Sequence, residues 1–189
     1  MSDKIDANDY LLFNGSRFYW KTKTRKEKGS FINKYVWKYA VSGLKKDNPY
    51  LKKLIASGRT DIKTDTDYTD PKYQNLSSAG PIPSGTYELM LKKNMPYEKT
   101  GGGWGTGGWS IYPTNSLIRR AGFLETKLNM DLPWIRSGFF LHEDGGKDGT
   151  AGCIGLSKAG IKNLKSYLET YATKSNSSAI LIVVDYKAK

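Results

Sequence analysis

The chain has 189 residues and a formal net charge of +12, from 30 Lys+Arg against 18 Asp+Glu, with a single Cys and a single His. That length suits one domain that closes a core of its own. One Cys excludes an internal disulfide framework, and one Cys with one His falls short of the four ligands of a closed zinc site.

The charge excess favours anionic partners such as nucleic acid, a membrane surface or an acidic cell wall. Most of it reads as ordinary solvated charge, since only "KTKTRKEKG" (21–29) is dense. The start, "MSDKIDANDY", is polar and lacks the apolar run of a Sec signal, so the expectation is a chain made in the cytoplasm without that signal. The longest apolar run, "AILIVV" (179–184), is too short to span a bilayer, and no membrane insertion is expected.

In chain order, "DYLLFN" and "SRFYWKT" flank Asn14-Gly15, a strong hairpin signal. "KYVWKYAVSG" (34–43) alternates and predicts a strand with Tyr35, Trp37, Tyr39 and Val41 on one face. In "NPYLKKLIASG", Asn48 is an N-cap, Pro49 the first helical residue and Gly58 a stop. Residues 59–80 are polar and aperiodic and read as a long loop. "GPIPSG" marks a tight turn before the strand "GTYELMLK" (85–92). A Gly-rich stretch follows at 94–107, then the strands "GWSIYPT" (108–114) and "RSGFFLHE" (136–143). After Ser157, Ile161, Leu164, Leu168 and Tyr171 form a helical stripe, and "AILIVVDY" (179–186) is a last strand. The expected fold is therefore mostly β with a few helices (α+β), about seven strands in one domain (1–189). Loop insertions fall around 44–80 and 94–107, and long loops in compact domains are usually functional or mobile.

The chemistry centres on "GFFLHEDGGKDGTAGCIGLS", which holds both His142 and Cys153. A thiol at its ordinary pKa is mostly protonated at neutral pH, and a neighbouring imidazole that takes its proton makes the sulfur nucleophilic. The attacked carbonyl then needs main-chain N–H donors, and small residues around Cys153 let the backbone approach a substrate. Taken singly, a lone Cys is more often a small buried hydrophobe, and a lone His a surface or core residue. Together, on a strand end and a Gly-rich loop eleven residues apart, they form a candidate catalytic pair whose geometry must decide. Glu143, Asp144 and Asp148 match no zinc spacing, and neither a metal nor a cofactor is expected.

This segment resembles the active-site stretch of the L,D-transpeptidase (YkuD-like) catalytic domain. More closely, it resembles a group of type VI secretion effectors related to that domain, whose segment reads His-Gly-Gly, then Ser/Thr-x-Gly-Cys-Ile. "AGPIPSGTYEL" (79–89) looks like that group's "GPIP-x-GTY" element, and "RSGFFLH", "LLFNGSRFYW" and "AVSG" resemble its strands. The resemblance implies a YkuD-like β-sandwich or barrel with the Cys loop followed by a helix. It implies Cys153 as nucleophile and His142 as general base, with the Gly152 and Cys153 N–H groups lining an oxyanion hole and Thr150 in the Ser/Thr position. Ala151 stands where the standard domain has a second His, Gly155 where it often has Arg, and the His-to-Cys gap is shorter. These departures favour the effector group. His142 would be oriented by Glu143 or Asp144, or equally by a main-chain carbonyl, because adjacent strand residues point to opposite faces.

Papain-like peptidases place Cys before His, the reverse of the order here. What the resemblance implies is an L,D-carboxypeptidase or L,D-transpeptidase acting on peptidoglycan stem peptides in the periplasm of a target bacterium. An immunity protein and a secretion-system component would be its partners. Two other classes stand beside it: a non-catalytic wall-binding or inhibitory module on the same fold, and a basic nucleic-acid binder. No nucleic-acid motif is present, and nucleic acid is not an expected partner. In "TGGGWGTGGWSIY" (100–112), Trp109 reads as a core residue, while Trp104 is either lid or turn.

Overall fold

The computed structural model describes residues 5–22, 32–92, 105, 107–115, 136, 138–144 and 149–188. Trp104 and most of the basic run and the Gly-rich stretch lie outside these residues.

The described residues form nine strands and two α-helices. Strands β1 (Asp9–Phe13) and β2 (Phe18–Thr22) make the hairpin that Asn14-Gly15 predicts. The Asn14 side-chain oxygen accepts from the Arg17 N–H at 3.0 Å, so the side chain itself shapes the turn. β3 (Ile32–Trp37) and β4 (Ala40–Leu44) follow, then helix α1 (Pro49–Ala56), with the Asn48 side chain capping the Tyr50 N–H at 2.7 Å. β5 (Gly85–Met90), β6 (Gly108–Pro113), β7 (Phe139–Glu143) and β8 (Gly149–Leu156) lead to helix α2 (Lys158–Ser175) and β9 (Ala179–Val184). Ser157 caps α2 at the Gly160 N–H, and the helix buries the stripe Ile161, Leu164, Leu168 and Tyr171.

All nine strands belong to one mixed sheet in the order β3-β2-β1-β9-β5-β6-β7-β8-β4. Its two edge strands, β3 and β4, are consecutive in sequence and separated only by Lys38 and Tyr39. Three Cα–Cα steps span at most about 11 Å, so the covalent chain draws the two edges together and rolls the sheet into a nearly closed barrel. The single alternating strand expected over 34–43 is therefore two strands on opposite edges. The bend at 38–39 also shifts the alternation, because Trp37 and Ala40 both enter the main core whereas Val41 faces Gly155 on the other side.

That core joins inward residues of the sheet, such as Leu11, Phe13, Trp20, Leu89, Leu141 and Ile154, with the stripe of α2. Trp20 packs against Tyr167 and Tyr171 of the helix, and its indole N–H donates to Asp9 at 2.7 Å. Asp9 also pairs with Lys34 at 2.8 Å, which compensates a carboxylate that is otherwise fully enclosed. Trp109, at the start of β6, is core as expected.

The polar stretch 59–80 is more ordered than its composition predicts. Ile62, Tyr68 and Ala79 form a second small core with Leu44 of β4 and Leu51 and Leu54 of α1. Tyr68 N–H donates to Leu44 O, and Leu44 N–H to Ala79 O, both at 2.8 Å, so two passes of the insertion are stitched to β4. Three well-spaced apolar side chains suffice where α1 supplies the other half of the core. Among the described residues no helix is long and apolar enough to cross a membrane.

Candidate active site

β7 and β8 run parallel, with Leu141 opposite Ile154 and His142 opposite Gly155. Strand residues alternate between faces. Leu141 and Ile154 enter the core, and their neighbours His142 and Cys153 therefore share the opposite face of adjacent strands. Both are nearly enclosed, His142 at 6% exposure and Cys153 at 8%. The fold thus places the lone imidazole and the lone thiol on the same face of neighbouring strands.

Cys153 lies within strand β8, where a loop was expected, yet the strand departs from regular pairing there. Between the Val41–Gly155 and Gly43–Thr150 pairs, one residue of β4, Ser42, faces four of β8, Ala151 to Ile154. Such a bulge re-aims side chains and frees main-chain groups from the ladder. Two hydroxyls hold it. Thr150 donates to the Cys153 carbonyl in a short hydrogen bond, and Ser42 donates to the Gly152 carbonyl at 3.2 Å while accepting from the Ile82 N–H at 2.8 Å. Gly152 sits at φ +106°, where a Cβ is strained, and Ala151 is exposed at the tip. Thr150 therefore supports the Cys153 bulge through its hydroxyl.

His142 has glycines opposite it on both flanking strands, Gly108 on β6 and Gly155 on β8. A Cβ on Gly108 would stand 2.2 Å from the Leu141 carbonyl and 2.9 Å from His142 Cβ, so only glycine lets β6 pack this closely. A Cβ on Gly155 would stand 2.7 Å from Asp144 Cβ, which leaves no room for a larger residue. His142 Nδ1–H donates to the Glu143 main-chain carbonyl at 2.7 Å, a tautomer that leaves Nε2 as the acceptor. Orientation at Nδ1 therefore comes from the backbone, and the Asp144 carboxylate instead accepts a short hydrogen bond from the Tyr39 hydroxyl.

Burial holds the His142 imidazole below its ordinary value, against the Glu143 hydrogen bond and the Asp144 and Glu143 charges, which act the other way. Burial pushes the Cys153 thiol up to about 11, opposed by the Phe140 N–H and the Arg136 cation. The resting pair is consequently a thiol and a neutral imidazole.

Sequence reasoning missed Arg136. Its guanidinium is enclosed, donating to the carbonyls of Gln74 (2.7 Å), Gly80 (3.0 Å) and Pro81, and it lies over the Phe139 ring. A Cβ on Gly152 would stand 2.2 Å from its Nη2, so the cation abuts the bulge that carries Cys153. The only sequence signal was a charge heading the apolar strand "RSGFFLH". The carbonyls it binds arrive from the insertion and the turn that follows it, which no local pattern reveals. Among the described residues, no group of three or more His, Cys, Asp or Glu side chains is assembled to hold a metal. Compared with known proteins, the chain matches no family model, and no curated protein is significantly similar to it.

Proposed function

We propose that the protein is a cysteine acyl-transfer enzyme of the L,D-transpeptidase type, acting on peptidoglycan stem peptides. The observation that carries this reading is the convergence of Cys153 and His142 on one face of adjacent strands, with the thiol on a four-against-one bulge. Cys153 Sγ attacks the carbonyl carbon of the L-centre that precedes a D-residue, and His142 Nε2 takes the thiol proton as the C–S bond forms. The oxygen gains negative charge, which the Gly152 and Cys153 N–H groups are suited to meet at the bulge. The intermediate collapses by breaking the C–N bond, and His142 returns the proton to the departing amine of D-alanine. The thioester then goes to water, giving a shortened stem, or to an amine, giving a cross-link or an exchanged D-residue. The neutral resting pair fits a mechanism in which His142 acts as base only when substrate is present.

The effector reading belongs to this proposal. Ala151 at the bulge tip and the "GPIP-x-GTY"-like element set the chain apart from the standard cross-linking domain. Action in the periplasm of a rival cell, with an immunity protein as antagonist, follows from that likeness. The +12 charge would hold the enzyme on an acidic wall.

Mass spectrometry of tetrapeptide muropeptides after incubation tests the reading. Loss or exchange of the terminal D-alanine by the wild type, and neither by Cys153→Ala, is the expected result. Unchanged muropeptides, or equal activity in Cys153→Ala, refute it. The enclosed, proton-holding thiol favours one second reading, a non-catalytic wall-binding module. It predicts retention on peptidoglycan sacculi without any change in muropeptide mass.

A further inference from the structure

A second feature adjoins the bulge. A cleft of about 320 Å³ opens at the start of β5 and the end of β6, lined by Ser84, Thr86, Thr114 and Asn115, with Arg136 in its wall. Among the described residues, no acidic side chain lines it. Arg136 is 9% exposed, and its recorded partners among the described residues are three carbonyl oxygens and a ring face. The ionisable groups acting on it are Tyr87, Tyr186 and Cys153. Burial keeps all three protonated, and the two phenols donate to the carbonyls of Pro83 and Ile82. An enclosed guanidinium ordinarily has an anionic partner, because burying an unpaired charge is costly. Here the carbonyls supply only dipoles, and among the described residues no carboxylate meets this cation in the wall of the cleft.

We propose that this cleft receives the free α-carboxylate of the substrate's terminal residue, with Arg136 as its partner, and so restricts the enzyme to stems with an open C-terminus. The proposal rests on the acyl-transfer reading for its substrate. Its geometry follows from covalent structure. In the terminal residue the carboxylate carbon lies three bonds from the attacked carbonyl carbon, a separation of roughly 4 Å at most. A carboxylate that close to the reacting centre needs a cation adjoining the nucleophile, and Arg136 touches both Gly152 and the cleft. A guanidinium meets a carboxylate with two parallel N–H donors, a geometry that an amide cannot reproduce.

The test is a calorimetric titration of Cys153→Ala protein with diacetyl-L-lysyl-D-alanine and with its C-terminal amide. The acid should bind about tenfold or more tightly than the amide, the margin of a charge-assisted hydrogen bond. In Arg136→Gln on the same background, provided circular dichroism shows it folded, that difference should vanish. Thr114→Trp, which fills the cleft mouth with an uncharged side chain and leaves Arg136 in place, should abolish binding of the acid. Equal affinity for acid and amide, an acid preference that survives Arg136→Gln, or one that survives Thr114→Trp overturns the proposal. The two readings fail differently. An acid preference without muropeptide cleavage sinks the enzyme and leaves the site. Cleavage of acid and amidated tetrapeptides at equal rates sinks the site and leaves the enzyme.

Discussion

Alkylation of Cys153 across pH reads the electrostatics of the site directly. Burial raises the thiol from an ordinary 9.0 to about 11. At pH 8, a thiol at 9.0 is roughly one-tenth ionised and one at 11 roughly one-thousandth, so iodoacetamide should react about a hundredfold more slowly than with an ordinary cysteine. The profile of alkylation rate, followed by intact-protein mass, should keep rising to about pH 11. Stability carries the same signature. The folded thiol keeps its proton between pH 9 and 11 while the unfolded one loses it, so the contribution is complete below pH 9 and is lost as pH rises through that window. Two pKa units correspond to about 3 kcal/mol. Several tyrosines also titrate late, which makes the difference between wild type and Cys153→Ala in urea unfolding at pH 8.5 and 10.5 the informative quantity. Denatured protein supplies the unshifted control for alkylation. A midpoint at or below about pH 7 in the folded protein would mean a preformed thiolate–imidazolium pair, and would refute the neutral resting state.

Two substitutions test the supports of the site. Thr150→Val leaves the enclosed Cys153 carbonyl without its hydroxyl donor, which should lower unfolding stability by about 1–3 kcal/mol and depress kcat more than it raises KM. Undiminished turnover would show that the bulge does not need that bond. Gly108→Ala forces a Cβ against the Leu141 carbonyl at 2.2 Å, so β6 must move away from β7 beside His142. A loss of about 1–3 kcal/mol in urea unfolding, together with reduced turnover, is expected. Unchanged values of both would refute the close-approach argument.

Much of the fold is legible in local pattern because the determinants are local. Asn14-Gly15 sets a turn through its own side chain and backbone freedom, and Asn48 and Ser157 cap helices through N–H groups two or three residues away. The stripe of α2 is buried as its spacing predicts, since a helix has only one way to present residues at that period. The residues 34–43 show where such reasoning stops. Alternation records that each residue meets a pleated surface, and it carries no information about which neighbour lies beside it. The two-residue bend that sends β3 and β4 to opposite edges leaves hardly a trace in that pattern.

The same division runs through the candidate site. The sequence by itself determined that His142 ends an apolar strand and that Cys153 lies among small residues, because strand and turn propensities depend on the chain within a few positions. That both face the same side of neighbouring strands depends on a parallel register between β7 and β8, which only tertiary pairing decides. The orienting group for His142 was equally a matter of packing, since Tyr39 engages Asp144 and the Glu143 carbonyl serves the imidazole. Protonation was decided the same way, by burial under distant segments. Arg136 is the fullest case: its partners are Gln74, Gly80 and Pro81, at least 55 residues away in sequence. A charge acquires its meaning from what encloses it, and the chain places that enclosure only when the sheet closes.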